Sequence, residues 1–123
     1  MYTFYFEKLE VWQNARQFVK AIYNVTEAFP QEEQFGLTNQ IRRASLSITA
    51  NISEGFSRQS KKEKARFISI AYSSSWEIIN FLILSNDLSF LKEDEYSKLR
   101  SDIEYISNQL NALYKQLTKN ENS

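Results

Sequence analysis

The chain of 123 residues contains no cysteine and no histidine, and these two absences exclude several kinds of chemistry. A thiol nucleophile, a serine–histidine pair and a disulfide each need one of the missing residues. The usual zinc sites, which are built from the same two residue types, are excluded as well. We therefore predict no catalytic residue, no metal site and no cofactor, and a protein that is not an enzyme.

Glycine and proline are scarce, with two copies and one copy respectively. Two glycines are too few for a phosphate-binding loop or a dinucleotide-binding fingerprint. The few turn signals divide the chain into four segments, because Pro30 closes the first and Gly55 ends the second as a left-handed C-cap. Ser60 and Glu63 have the spacing of a capping box at the start of the third segment, and residues 89–92 separate it from the fourth.

An apolar run pure enough to span a membrane is also missing. The most apolar window, residues 67–91, carries only two charges, but eight serines and asparagines interrupt it, so we interpret it as a buried helix. Residues 1–10 mix aromatic and charged side chains and do not resemble a signal peptide. Together with the absence of cysteine, which fits a reducing compartment, these features predict a cytoplasmic protein with no membrane partner.

The residues that are abundant follow a helical period. Hydrophobic residues make up 42% of the chain, which is enough to form a core, and each of the four segments places them on one face. In the last segment the spacing alternates between three and four, through Tyr96, Leu99, Ile103, Ile106, Leu110, Leu113 and Leu117. We predict an all-α fold, a single up-down-up-down four-helix bundle over residues 1–123, with helices at about 8–29, 37–54, 61–88 and 93–118 and a frayed tail at 119–123. Three internal turn signals count against a coiled-coil dimer, the main alternative.

The third helix has more apolar surface than one bundle core can bury. We assign to the core the face that holds Phe67, Ala71, Ser74, Ile78, Leu82 and Ser85. At about 100° per residue, a second face points away from it and holds Tyr72, Trp76, Ile79 and Ile83. Scattered surface aromatics are normal, but four large apolar side chains on one short face exceed that pattern. We predict that these four residues form an interface between subunits of a homo-oligomer.

The second helix carries a related but milder pattern. Opposite its core stripe lies a row with two small residues between opposite charges, formed by Arg43, Ser47, Ala50 and Glu54. Small residues permit close approach of helices, so Arg43 and Glu54 can pair across a subunit contact. An ordinary solvated face explains the row equally well.

The charges sum to zero but are unevenly distributed along the chain. Residues 1–39 carry −2, residues 40–66 carry +5 and residues 67–123 carry −3. For the end of the basic stretch we predict contact with phosphates of RNA or DNA without sequence choice, through Arg58, Lys61, Lys62, Lys64 and Arg66. In a monomer the simpler interpretation is a solvated turn, whereas a ring of subunits would repeat the patch and strengthen its field.

Aromatic residues near the N-terminus are a second feature with a possible role in nucleic-acid binding. Tyr2, Phe4, Tyr5 and Phe6 can stack on single-stranded bases. Aromatic side chains in such a segment more often pack over a neighbouring helix or subunit, and we expect that second role here.

One stretch of the chain matches a known pattern. The string Gly-Leu-Thr-Asn-Gln-Ile-Arg-Arg-Ala-Ser at 36–45 and the string Asn-Ile-Ser-Glu-Gly at 51–55 resemble the signature of the four-helix bundle family also called 23S rRNA intervening-sequence proteins. Leu-Glu-Val-Trp at 9–12 and Ala-Tyr-Ser-Ser-Ser-Trp-Glu at 71–77 extend the resemblance to about residues 6–117. Ser73 departs from the pattern, since the family tends to have glycine there, but this exchange of small residues should leave the fold unchanged.

The resemblance implies a left-handed bundle that assembles as a homopentamer around a central axis. It also marks six residues as structural or binding candidates, namely Arg42, Arg43, Asn51, Glu54, Arg58 and Glu77. We expect four of them, Arg43, Asn51, Glu54 and Glu77, to join one polar network. The family name describes a location in rRNA genes and not an activity. A related branch accompanies the reverse transcriptases of diversity-generating retroelements, which implies nucleic acid and a polymerase-type protein as partners.

The sequence leaves three candidate functions. The first is a non-enzymatic oligomeric scaffold that binds nucleic acid or a nucleoprotein partner, and the second is a protein-only assembly module with no nucleic-acid binding. The third, an enzyme, would need paired carboxylates such as Glu54 and Glu77, but two-metal bundle sites typically add histidine, which this chain lacks. We interpret both glutamates as partners of Arg42 or Arg43 and favour the first function.

Overall fold

The computed structural model describes residues 1–119 and shows an all-α protein. Within this range lie the helices α1 (Glu10–Thr26), α2 (Leu37–Gly55), α3 (Lys61–Asp87) and α4 (Glu93–Thr118). Two short 3-10 turns, Tyr5–Lys8 and Gln31–Glu33, precede α1 and α2. The predicted four-helix bundle is confirmed. Of the tail predicted to be frayed, residues 120–123 lie outside the described residues.

Each helix packs against two neighbours, in the order α1, α2, α3 and α4, and the ring closes between α4 and α1. Within residues 1–119 the diagonal pairs, α1 with α3 and α2 with α4, have no Cα atoms within 8 Å of each other. Because the connections are short, neighbouring helices run antiparallel. The start of α1, the end of α2, the start of α3 and the end of α4 therefore share one end of the bundle.

The core follows the apolar stripes of the four helices. Its completely buried large side chains are aliphatic, among them Ile22, Ile41, Ile48, Ile52, Ile68, Ile78, Leu82, Ile103 and Leu110. All six residues assigned to the core face of α3 are buried. Every buried side-chain nitrogen or oxygen in residues 1–119 has a hydrogen-bond partner, so the serines on the inner faces are compatible with this core.

Gly55 is the last residue of α2, but its backbone is not left-handed, and the predicted reason for this glycine was wrong. A Cβ atom at residue 55 would lie 2.9 Å from the Cβ of Phe67 and 3.4 Å from the carbonyl oxygen of Lys64. The first distance is shorter than real Cβ contacts. Residue 55 is therefore glycine because α2 and α3 approach each other too closely for a side chain.

Within residues 1–119, the left-handed backbone conformation occurs after α3 instead. Ser89 has φ 63°, its N–H donates to the carbonyl of Asn86 at 3.0 Å, and the N–H of Phe90 donates to the carbonyl of Ser85 at 2.9 Å. These two bonds are those of a Schellman motif, which usually contains glycine. The ring of Phe90 then packs 5.5 Å from the ring of Phe29, between centroids, and holds the α3–α4 connection against the end of α1.

Of the two hydrogen bonds predicted for the capping box at the start of α3, one is present and the other is not. Ser60 Oγ accepts a hydrogen bond from the Glu63 N–H at 3.1 Å, which is the N-cap interaction. The Glu63 carboxylate does not reach back to Ser60 and lies 3.4 Å from Arg66 Nε. The reciprocal bond occurs in α4, where Glu95 Oε1 accepts from the Lys92 N–H at 3.0 Å.

The serines and asparagines of residues 67–91 were predicted to exclude a membrane span, but by length and composition alone α3 is apolar enough to cross a membrane. A single helix of this kind is weak evidence, because the core helix of a soluble protein passes the same test. In this bundle α3 packs against both α2 and α4, and its core face is fully covered by them.

Candidate nucleic-acid interface

The five basic residues predicted to contact phosphates lie where α2 ends and α3 begins. The connecting turn is tight, because the Arg58 N–H bonds back to the Gly55 carbonyl at 3.1 Å. Arg58 lies in this turn, and the other four residues occupy the first two turns of α3. The structure therefore brings all five together at one end of the bundle.

The two arginines of this group flank one aromatic ring. The guanidinium carbons of Arg58 and Arg66 lie 4.9 and 4.8 Å from the ring centroid of Phe67, which is itself buried. Each arginine also approaches a carboxylate, Arg58 that of Glu54 at 3.6 Å and Arg66 that of Glu63 at 3.4 Å. Packing on Phe67 restricts both side chains, and the nearby carboxylates offset part of their charge.

The three lysines divide into two kinds. Lys64 Nζ donates a hydrogen bond to the carbonyl of Arg58, so this lysine secures the turn. Lys61 and Lys62 are exposed and make no hydrogen bond or ion pair with any residue from 1 to 119. Of the five predicted residues, these two are the ones whose charge is fully available to a ligand.

The opposite end of the bundle has the opposite charge. Residues 27–36 and 87–95, which contain the other two helix connections, carry seven acidic residues and one basic residue. Residues 54–66 carry five basic and two acidic residues. We call the end with residues 54–66 the basic end and the other the acidic end. The zero net charge thus combines a basic end of +3 and an acidic end of −6 with a further +3 from the remaining residues.

The second apolar face of α3, predicted to be an interface, is open to solvent in the single chain. Trp76 is 62% exposed and Ile83 is exposed, whereas Tyr72 and Ile79 are half-buried. The rings of Tyr72 and Trp76 lie 6.0 Å apart, between centroids. With α4 they border a groove of about 310 Å³, whose other lining residues are Ile79, Glu104, Ser107 and Asn108.

The α4 wall of this groove is polar but internally paired. Glu104 Oε2 accepts a hydrogen bond from Arg100 Nε at 2.7 Å, and Arg100 Nη1 donates to the Tyr96 hydroxyl at 2.7 Å. The hydrogen bond to Glu104, followed by the one to Tyr96, raises the pKa of the Arg100 guanidinium. The carboxylate beside Trp76 therefore already has a positive partner.

The four residues expected in a polar network do not meet within one chain. Asn51 donates to the carbonyl of Ser47 at 2.8 Å, and Glu54 faces Arg58 in the turn that follows α2. Arg43 and Glu77 are exposed and make no hydrogen bond or ion pair with the described part of the chain. The polar contact between α2 and α3 runs instead through two serines, since Ser74 Oγ donates to Ser47 Oγ at 3.0 Å.

Arg42 has partners that the sequence did not indicate. Its Nε donates to the Thr26 hydroxyl at 2.8 Å, and its guanidinium carbon lies 4.5 Å from the centroid of the Tyr23 ring. Arg42 thus joins α2 to the end of α1 and does not pair with Glu54 or Glu77. Because both partners lie 16 to 19 residues away on another helix, no local spacing predicts them.

The aromatic segment at the N-terminus also lies at the basic end. Phe6 packs as expected, edge to face on Trp12 with ring centroids 5.1 Å apart. Tyr2, Phe4 and Tyr5 remain 77%, 57% and 62% exposed, so the expected packing over a helix holds for only part of the segment. Tyr5 reaches the ring of Phe56, at the start of the basic turn, with a centroid distance of 5.4 Å.

Comparison with known sequences identifies the relatives of this bundle. The sequence model of the 23S rRNA-intervening sequence protein family matches residues 7–112. The chain belongs to this family. The basic end and the second face of α3 both lie within the matched range, so they are parts of the family domain and not additions to it.

Comparison with solved structures agrees with this assignment. A crystal structure of a protein with unknown function, from the S23 ribosomal protein family of Bacteroides thetaiotaomicron, superposes with a TM-score of 0.79 and 25% sequence identity. The match covers 85% of this chain and 95% of the other. A search of curated proteins found no match. Neither the family nor the solved relative is described with an activity or a ligand.

Proposed function

We propose that the protein is a non-enzymatic oligomeric helical scaffold that binds nucleic acid, alone or within a nucleoprotein partner, through its basic end. The finding that carries this proposal is the arrangement of positive charge at the start of α3. Lys61 and Lys62 are exposed and have no partner within residues 1–119, and the Arg58 and Arg66 guanidinium groups pack on the ring of Phe67 close by. Such a cluster suits phosphate groups and offers no pattern for reading bases.

Assembly strengthens this proposal, because several copies of the basic end act together on one polyanion. The exposed Trp76 and the apolar residues around it supply the subunit contact, and the family resemblance supplies the number five. In such a ring, the exposed Arg43 of one subunit can meet a carboxylate such as Glu54 of the next. A polymerase-type protein in the cytoplasm is the partner class that we carry over from the same resemblance.

A salt series tests the binding. We expect the intact protein to bind a single-stranded oligonucleotide on a filter, with an affinity that falls roughly a thousandfold between about 50 and 200 mM salt if about six phosphates are neutralised. The double variant Lys61→Glu/Lys62→Glu should abolish binding. These two lysines are preferable to Lys64, whose reversal would also remove its bond to the Arg58 carbonyl.

The matched control makes the same change in net charge away from the basic end. Lys20 and Lys92 are both exposed, and Lys20→Glu/Lys92→Glu should retain most of the affinity. Retention that ignores salt, or that survives reversal of Lys61 and Lys62, would contradict the proposal. The protein-only assembly module would then be the better description.

A further inference from the structure

We infer that the basic end contains a subsite for unpaired nucleobases, formed by the aromatic side chains of the N-terminal segment beside the basic turn. The inference rests on the proposed function, because it specifies which form of nucleic acid that end prefers. Tyr2, Phe4 and Tyr5 expose three rings within four residues, and exposed rings in such density indicate a surface that a ligand covers.

These rings are held in place and are not a loose tail. The Phe4 N–H donates to Glu7 Oε2 at 2.8 Å, and Gln13 Nε2 donates to the Glu7 carbonyl at 2.9 Å, which ties the segment to α1. The rings of Phe4 and Phe6 are almost parallel, with an interplanar angle of 21° and centroids 6.2 Å apart. Because the fold already holds these rings in place, a ligand that stacks on them does not incur the entropic cost of ordering them.

Phe4 and Tyr5 border a groove of about 540 Å³ against the end of α2, and Tyr2 packs edge to face on Phe4 with ring centroids 5.0 Å apart. Its remaining lining residues are two aromatic residues, Phe6 and Phe56, three small ones, Ala50, Ser53 and Ser57, and one carboxylate, Glu54. The volume lies in the range of about 300–1,000 Å³ that is typical of ligand pockets. The groove is mostly apolar and carries aromatic rings, which suits the faces of planar bases.

Positive charge begins at the edge of the groove. Glu54, which lines it, lies 3.6 Å from Arg58 Nη2, and Ser57 precedes Arg58 directly. Lys61 and Lys62 follow within the first turn of α3. Aromatic rings beside a basic track are the features with which proteins bind single strands, because bases stack while phosphates follow the charge. A duplex hides the faces of its bases, so the groove favours unpaired strands.

The test compares single and double strands with the full chain. Fluorescence anisotropy would measure binding to an oligothymidylate of about 20 nucleotides, longer than the roughly 4–16 nucleotides that a small binding fold covers. The same measurement would use a mixed-sequence duplex of equal length. We expect tighter binding of the single strand, and a 10-fold or greater loss of that affinity in Tyr2→Ala/Phe4→Ala. Affinity for the duplex should change less than twofold.

Two further variants separate ring chemistry from general damage. Tyr2→Phe/Phe4→Tyr keeps both rings and should keep the preference for the single strand. Phe35→Ala removes a ring that is 85% exposed in the α1–α2 connection, at the acidic end, and should leave both affinities unchanged.

Each contrary outcome has a distinct meaning. Equal binding of both forms, unaffected by Tyr2→Ala/Phe4→Ala, overturns the subsite but leaves the proposed function standing. A failure to bind either form overturns both. If light scattering shows that the double alanine variant has a smaller assembled mass, the rings belong to a subunit contact and the subsite is overturned.

Discussion

Thr26 is a buried residue whose hydroxyl group joins two helices. It donates to the carbonyl of Ile22 at 2.6 Å within α1 and accepts from Arg42 Nε of α2 at 2.8 Å. A hydrogen bond to a charged group is stronger than a neutral one, and its loss leaves the guanidinium without this acceptor. One oxygen atom thus fixes the end of α1 against α2.

We predict that Thr26→Val, which keeps the shape of the side chain, lowers the free energy of unfolding by about 1–3 kcal/mol. Urea denaturation followed by circular dichroism would measure the change. Thr118→Val is the matched control, because its hydroxyl bonds only to carbonyls of its own helix near the end of α4. The control should change the stability by less than about 0.5 kcal/mol. Equal effects of the two substitutions would show that the bond to Arg42 contributes nothing.

Gly55→Ala tests the close approach of α2 and α3. Alanine would gain up to about 1 kcal/mol of helix propensity, while overpacking costs about 1–3 kcal/mol. Because the atom that it would strike is the Cβ of Phe67, which cannot swing away without moving the backbone, we expect a net loss of stability. Thermal unfolding should show a lower Tm, whereas Gln40→Ala, at an exposed position of α2, should leave the Tm nearly unchanged. A higher Tm for Gly55→Ala would contradict the proposed contact.

These residues also mark what sequence reasoning could and could not predict. A glycine at a helix end is most often left-handed, so the position of Gly55 was predicted and its reason was not. Glycine is needed at this position because α2 and α3 lie close together, and the distance between two helices cannot be derived from the spacing of residues in the sequence. At Ser89 the structure has a left-handed backbone that was not predicted, because no sequence pattern distinguishes a left-handed serine from other serines.

At the scale of elements, the two interactions predicted for the capping box at the start of α3 can be tested separately. Ser60→Ala removes the oxygen that accepts from the Glu63 N–H and should cost about 1 kcal/mol. Glu63→Ala removes only an exposed contact with Arg66 and should cost less than about 0.5 kcal/mol. Chemical denaturation of both variants would compare them directly. A capping box with two bonds, as the sequence suggested, would instead make the two losses similar.

The buried face of α3 could be predicted because the helical period places its six residues at one side whatever the partner helices are. The clustering of the five basic residues followed in the same way from their closeness in sequence. Their partners did not follow, since long side chains choose among nearby rings and carboxylates according to local geometry. Phe67 was predicted as a core residue, and the structure adds that Arg58 and Arg66 pack on its ring.

At the scale of the whole molecule, the antiparallel order of the helices sorts the charges. The α2–α3 connection lies at one end, and the other two connections lie at the opposite end. Their opposite charges make the bundle electrically polar although its total charge is zero. A polyanion is therefore attracted to one end and repelled by the other, so the long-range field orients the scaffold before contact.

The predicted assembly of the protein into a homo-oligomer can be tested with a single substitution. We predict that light scattering coupled to size exclusion gives a mass about five times the 14.5 kDa of one chain at micromolar concentration. Trp76→Glu should reduce this mass to that of one chain, because an unpaired carboxylate in a desolvated contact costs several kcal/mol. Glu104, which lines the same groove, would add repulsion.

Phe35→Glu is the matched control for that experiment, since it makes the same exchange at an aromatic residue outside the predicted contact. It should keep the assembled mass, and both variants should keep the helical circular dichroism of the parent because neither ring lies in the core. A parent protein that is already monomeric would contradict the assembly itself. An assembled Trp76→Glu variant would instead place the contact elsewhere, and the next surface to test would be the outer row of α2, where Arg43 and Glu54 lie.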